Sequence, residues 1–148
     1  MTCIRGLSLG ILVLVVGLWG CSSRRNLQQG YYEYKNGHFD HARPLLERSF
    51  NRNPSADAAF LIAESGRRLR EQDTTWYNRA ISSAKQEFVR SEEMSEKVVR
   101  MRIIALSYYH LKNYREALSW LDKLTMGVST DPDVYFYLGH CAVELKDF

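Results

Sequence analysis

Residues 101–121 read MRIIALSYYHLKNYREALSWL, and this stretch sets the register for the whole chain. Small Ala105 follows apolar Ile104, and Tyr108 comes three residues later. After a polar break at Lys112-Asn113 come Tyr114, small Ala117 and, four residues on, Leu121. Apolar side chains at helical spacing on both sides of a polar break describe two short amphipathic helices around a tight turn. Ala105 and Ala117 let the two backbones approach closely, while Tyr108, Tyr114 and Leu121 fill the space between them.

The pattern recurs. Moving 34 residues downstream gives Tyr135, Leu138 and Gly139. Upstream, residues 30–54 supply Gly30, the turn Asn36-Gly37, Phe39, Ala42, Leu46 and Pro54, and between the two units FLIAESGRRL places Ile62-Ala63 at the same point, with a register one residue off as the alternative. Small residues Gly30, Ala63, Ala105 and Gly139 are thus spaced 33, 42 and 34 apart. This layout resembles the tetratricopeptide repeat, whose signature sets an aromatic, Leu-Gly, Tyr, Ala, Phe and Pro at fixed offsets over about 34 residues. The resemblance implies an all-α fold, a right-handed superhelical solenoid of helix-turn-helix repeats, with about three and a half repeats present.

In that register the first repeat has one helix over about Leu27 to Lys35 and a second over about Phe39 to Asn51, with Gly37 free to take a positive φ in the turn. Gln29, Glu33 and Pro44 depart from the family pattern, and Pro44 is expected to bend the second helix or delay its start. The unit reads as an atypical N-terminal cap. In the second repeat Ser55 caps a helix over about Ala56 to Glu71, Gly66 stands where Tyr is usual, and Asp73-Thr74-Thr75 caps a helix over about Trp76 to Phe88. Counting against the family places five extra residues in the turn between these helices and three before the next repeat, both expected in loops. Ser91 offers a cap to the third repeat, about Glu92 to Lys112 and Tyr114 to Leu124, and Glu92-Glu93 suit the positive end of its dipole. A connection over Thr125 to Asp131 leads to Pro132, which opens a helix ending near Lys146-Asp147. The repeats fall at about 23–55, 56–97, 98–131 and an incomplete 132–148. The apolar character of Tyr135, Phe136, Tyr137, Leu138, Cys141, Val143, Leu145 and Phe148 implies a chain that continues beyond Phe148.

Residues 1–20 are a different kind of segment. Arg5 precedes a charge-free run of twelve, Leu7 to Leu18, which fits the apolar core of a secretory signal peptide. It is short for a spanning helix, which needs about 20 apolar residues; an uncleaved anchor is the alternative. Leu18-Trp19-Gly20-Cys21 resembles the lipobox of bacterial lipoproteins, although Trp19 is larger than the residue usual there. The resemblance implies cleavage before Cys21, lipidation of its thiol and acylation of the new amine, which together hold a protein firmly on a membrane. Ser22 and Ser23, with no Asp, imply the outer membrane and a domain facing the periplasm. Residues 21–26 then form a tether and 27–148 the repeat domain.

Removing residues 1–20 takes away one basic side chain and no acidic one, so the net charge falls from +3 to +2. Near-neutrality argues against nucleic acid. Cys3 leaves with the signal and Cys21 carries lipid, so Cys141 has no disulfide partner and reads as a buried packing thiol. No Gly-rich phosphate loop, HExxH or paired-cysteine spacing occurs, and the one GxSxG string, Gly6 to Gly10, lies inside the signal. No enzyme, cofactor or small-molecule substrate is implied. His38 and His41 are three apart with no third ligand evident, and they read as exposed histidines. Glu92-Glu93 has no opposed acid for glycoside chemistry.

The repeat resemblance further implies a concave groove lined by the first helix of each unit. Carried over position by position, the lining is Leu27, Tyr31, Tyr34 and Lys35, then Phe60, Glu64, Arg67 and Arg68. The third unit gives Arg102, Leu106, Tyr109 and His110, and the fourth Phe136, His140, Val143 and Glu144. Such a groove, aromatic with a basic centre, suits an extended peptide or helix of acidic character. The alternative is that the arginines are a solvated face and the tyrosines pack between repeats. The implied function is a lipid-anchored scaffold that binds partner proteins in envelope assembly or secretion. Two others stay open: the tethering arm of a larger envelope protein with a peptidoglycan-binding or propeller domain, as in type IX secretion, and the regulatory arm of a downstream enzyme.

Overall fold

A computed structural model describes residues 22–126 and 131–146. Among them the chain is helical without a strand. Helix α1 covers described residues 22–35, followed by α2 (Phe39–Arg52), α3 (Ala56–Arg68), α4 (Thr75–Arg90), α5 (Met94–His110), α6 (Tyr114–Thr125) and α7 (Pro132–Lys146). The segment read as a signal, Cys21, most of the connection before Pro132, and Asp147 and Phe148 lie outside the described residues. From α2 onward each helix packs against its sequence neighbours, and beyond those pairs only α3 with α5 and α5 with α7 come together. The result is a repeat-like row of helices.

The turns inside this row follow one rule. Gly37, Arg70 and Lys112 take positive φ of 81°, 61° and 59°, and each stands seven residues after Gly30, Ala63 or Ala105. At each, the next residue's N–H donates to the carbonyl five residues back: His38 to Glu33 at 3.0 Å, Glu71 to Gly66 at 2.9 Å and Asn113 to Tyr108 at 2.9 Å. These bonds satisfy carbonyls left open at the helix end and turn the chain back within a few residues. Polar side chains meet the amino ends of α3, α4 and α6, whereas His38 at the start of α2 makes no such bond. Ser55 accepts from the Ala58 N–H at 3.3 Å and Asn113 from the Glu116 N–H at 3.5 Å, while the Asp73 carboxylate takes the Thr75 N–H at 2.9 Å.

Small residues sit where helices approach. Ala42, Ala80, Ala105 and Ala117 are fully buried, and a Cβ on Gly30 would lie 2.7 Å from Leu46 Cγ. Gly139 differs: no described atom lies within 4 Å of its missing Cβ. Three apolar clusters run along the row, around Leu46 and Ile62, then Ala84 and Ile104, then Leu121 and Cys141. Phe50 and Phe88, each eight residues beyond the small alanine of its helix, meet Trp76 and Trp120 edge to face at 5.2 and 5.8 Å.

Two sequence expectations are corrected, and of the two effects expected of Pro44 the delayed start does not occur. Pro44 lies inside α2, whose start at Phe39 it does not delay. Ser91 ends α4 and leaves α5 uncapped by a side chain; α5 begins only at Met94, after Glu93. The extra residues do not all fall in loops. α3 begins seven residues before Ala63 but α5 begins eleven before Ala105, so the insertion between units lengthens α5 at its amino end. Part of the other insertion likewise extends α4, because a solvent-facing helix end satisfies its backbone more readily than a loop does.

Candidate functional site

Helices α1, α3 and α5 together line an open groove of about 500 Å³. Leu27, Gln28 and Tyr31 come from α1, Asp57, Phe60 and Leu61 from α3, and Val98, Val99, Arg102, Ile103 and Leu106 from α5. Five of the sixteen anticipated residues, Leu27, Tyr31, Phe60, Arg102 and Leu106, meet here. The other six, Gln28, Asp57, Leu61, Val98, Val99 and Ile103, were missed, although each lies one helical step or turn from an anticipated residue. The charged side chains at the rim are already occupied. Arg102 reaches Asp131 at 2.6 Å and Asp133 at 3.7 Å, and Arg100 holds Asp57 at 2.7 Å and Glu87 at 2.8 Å. Glu87 in turn takes the Ala56 N–H at 2.8 Å, fixing the amino end of α3. The groove floor is therefore apolar, with its charges matched internally.

Glu64, anticipated as an exposed groove residue, is only 6% exposed. Its carboxylate accepts from Tyr77 Oη at 2.6 Å and from Arg67 through Nη2 at 2.7 Å and Nε at 3.1 Å, and His110 Nε2 lies 3.1 Å away. The Tyr77 ring stacks on His110 with centroids 5.1 Å apart. Helices α3, α4 and α5 thus share one buried polar centre. Burial pushes the Glu64 carboxyl upward, but hydrogen bonds from Arg67 and Tyr77 and the nearby positive charge outweigh it, so its pKa lies below the ordinary value. Tyr77 is held well above its usual range, first by burial and then by the carboxylate it bonds. Burial also depresses His110, against the pull of Glu64, so a neutral imidazole is favoured. Glu64 and Tyr77, 6% and 4% exposed, are both withdrawn from solvent. Their geometry joins three helices through one carboxylate.

The anticipated basic centre is neutralised accordingly, since Arg67 serves Glu64. Arg68 lies over the Phe39 ring at 5.9 Å, beside Tyr34, whose pKa is raised by burial and by Glu64. Lys35 sits over Tyr31 at 5.3 Å. The remaining residues form a third group at the far end. Tyr109 meets Tyr137 at 4.8 Å, His140 at 5.4 Å and Tyr114 at 5.9 Å, and Phe136 meets His140 at 6.3 Å. Glu144 lies 4.0 Å from His140, whose Nδ1 is buried without a partner, and Phe136 and Val143 are exposed. The sixteen residues therefore gather in three groups, the buried centre and the far end being joined by the Tyr109–His110 ring contact at 5.3 Å.

Cys141 is buried, and burial pushes its thiol up to about 11, which suits packing and not nucleophilic chemistry. Among the described residues one set of metal-capable side chains converges, Glu33, His38 and His41, with ligand atoms within 4.8 Å of one another. Glu33 is the third partner that sequence spacing did not reveal. No helix among the described residues is long and apolar enough to cross a membrane. No family model matches the chain, and no curated protein matches it in sequence.

Proposed function

We propose that this chain is a tetratricopeptide-type scaffold, held on the periplasmic face of the outer membrane by a lipid on Cys21, that docks a segment of a partner protein in the groove between α1, α3 and α5. The observation that carries the reading is the recurrent chain reversal: a positive-φ residue seven positions after a close-packed small residue, three times over. Recurrence of backbone geometry, beyond composition, is what stacked helical hairpins require. The groove narrows the ligand. With Arg102 and Asp57 already paired, the surface offered is aromatic and aliphatic, so the favoured partner is an apolar or amphipathic segment and not the acidic peptide that the sequence suggested. The chain works by binding and not by catalysis. A second reading, the tethering arm of a larger envelope protein, is supported by the apolar exposure of α7, where Phe136 is 64% exposed.

Site-specific photocrosslinking tests the groove. A photoreactive residue in place of Leu106 should capture a protein that one in place of exposed Val89, on α4, does not capture. Recovery of lipid or glycan alone from position 106 overturns the proposal. Replacement of Cys21 by Ser should release the protein from membranes, and unchanged fractionation refutes the anchor.

A further inference from the structure

We infer that Glu33, His38 and His41 form a binding site for a divalent transition-metal ion at the turn between α1 and α2. The site is independent of the groove and of the lipid anchor. Two imidazoles and one carboxylate are a donor set that suits zinc-class ions and leaves coordination positions for water.

The turn fixes the three backbones. Glu33 lies in the last part of α1, and its own carbonyl accepts the His38 N–H at 3.0 Å, so residues 33 and 38 are tied to each other by the chain reversal at Gly37. His38 precedes α2, and its carbonyl accepts the Ala42 N–H at 2.9 Å, which places His41 in the first turn of the same helix. Side-chain geometry follows. His38 Nδ1 and Glu33 Oε2 are 2.9 Å apart, and the rings of His38 and His41 are 6.0 Å between centroids. Donor atoms around a tetrahedral zinc lie about 3.4 Å apart, given bonds of about 2.0–2.1 Å. The His38–Glu33 pair is already near that spacing. His41, 72% exposed, closes the rest by turning its ring, which solvent leaves free to do.

Electrostatics permits the ion. The amino end of α2 disfavours a cation, whereas the Glu33 carboxylate, the carboxyl end of α1 and Asp40, 3.6 Å from His41, favour it. Binding replaces the direct His38–Glu33 contact with bonds to the ion and joins α1 to α2, so the ion stabilises the first helix pair.

Zinc titration of the untagged protein by calorimetry, with thermal unfolding alongside, tests this. One Zn²⁺ per chain is expected, with a rise in Tm. His38→Ala and His41→Ala should each weaken binding by at least about 10-fold, the lower bound typical of even outer-shell losses. Glu33→Gln should weaken it too, and the double histidine variant should lose the Tm rise. His38 and His41 are exposed, so their variants should keep the zinc-free Tm, and Glu33, whose side chain is 20% exposed, is replaced by Gln of the same size so that the zinc-free Tm of each variant serves as its own reference. Absence of binding overturns the site. So does binding that survives the double variant, which other groups such as His140 would then carry, or binding indifferent to Glu33→Gln.

Discussion

Removing the hydroxyl of Tyr77 and the carboxylate of Glu64, singly and together, tests whether the buried polar centre acts as a unit. Tyr77→Phe deletes the 2.6 Å bond to Glu64 but leaves the carboxylate with Arg67 and His110. A hydrogen bond to a charged group contributes about 1.5–3 kcal/mol, so the variant should lose that much. Glu64→Ala strands the Tyr77 hydroxyl and the His110 nitrogen inside the protein, whereas Arg67, partly exposed, can rehydrate. Breaking a buried pair costs about 3–5 kcal/mol, and rehydration of Arg67 places this loss near the lower figure. In the Glu64→Ala background the Tyr77 hydroxyl has no acceptor, so Tyr77→Phe should be neutral or slightly stabilising. Urea unfolding of the four proteins at pH 7 should therefore give a coupling energy of about 1.5–3 kcal/mol, well beyond the ~0.5 kcal/mol scatter of independent sites. Losses that add within that scatter would refute the claim that these helices are joined through Glu64.

The same centre sets an acid limit. His110 has a folded pKa below its ordinary value of 6.5, so the unfolded chain takes up that proton first, and stability present above pH 6.5 falls as pH drops below it. Glu64 is also depressed, so its contribution is held above 4.5 and lost further down, as pH passes through its folded value. Tm against pH should fall in two stages, and His110→Gln should flatten only the first; an unchanged profile would refute the assignment. At the reversals, Arg70→Gly and Lys112→Gly should each stabilise by about 0.5–1 kcal/mol, because relief of a left-handed conformation exceeds the added entropy of the unfolded chain. Gly37→Ala should cost about 1 kcal/mol at the equivalent turn, and chemical denaturation reads all three. In the groove, Tyr31→Asp and Val99→Asp alter exposed side chains and should change stability by no more than about 0.5 kcal/mol. Both should abolish crosslinking from position 106; capture that persists would place the partner elsewhere.

Most helix limits were legible because local chemistry fixes them. Ser55 caps α3 as its side chain predicts, Asp73 takes the Thr75 N–H at the start of α4, and Gly37 turns as a glycine should. Arg70 and Lys112 make the same turn with no glycine to announce it; only their offset from Ala63 and Ala105 marks them. Groove membership was legible in part, since helical periodicity places Phe60 and Leu106 on a common face. Pairing across helices was not. Glu64 reads as one more polar residue between Ala63 and Ser65, and nothing nearby in sequence shows that Tyr77 and His110 converge on it. Likewise Arg102 reads as free positive charge until the start of α7 brings Asp131 and Asp133 beside it. Long-range neutralisation of this kind leaves no trace in spacing.

Because helix contacts from α2 onward reach no farther than the next helix but one, no single region supports all the others. Such a molecule has low contact order, which favours fast assembly from any adjacent pair and growth outward from there. It also lets an end loosen while the middle holds. Amide exchange should therefore be slow in the shared cluster of α3, α4 and α5, and a partner seated across α1, α3 and α5 would be felt first as protection of α1.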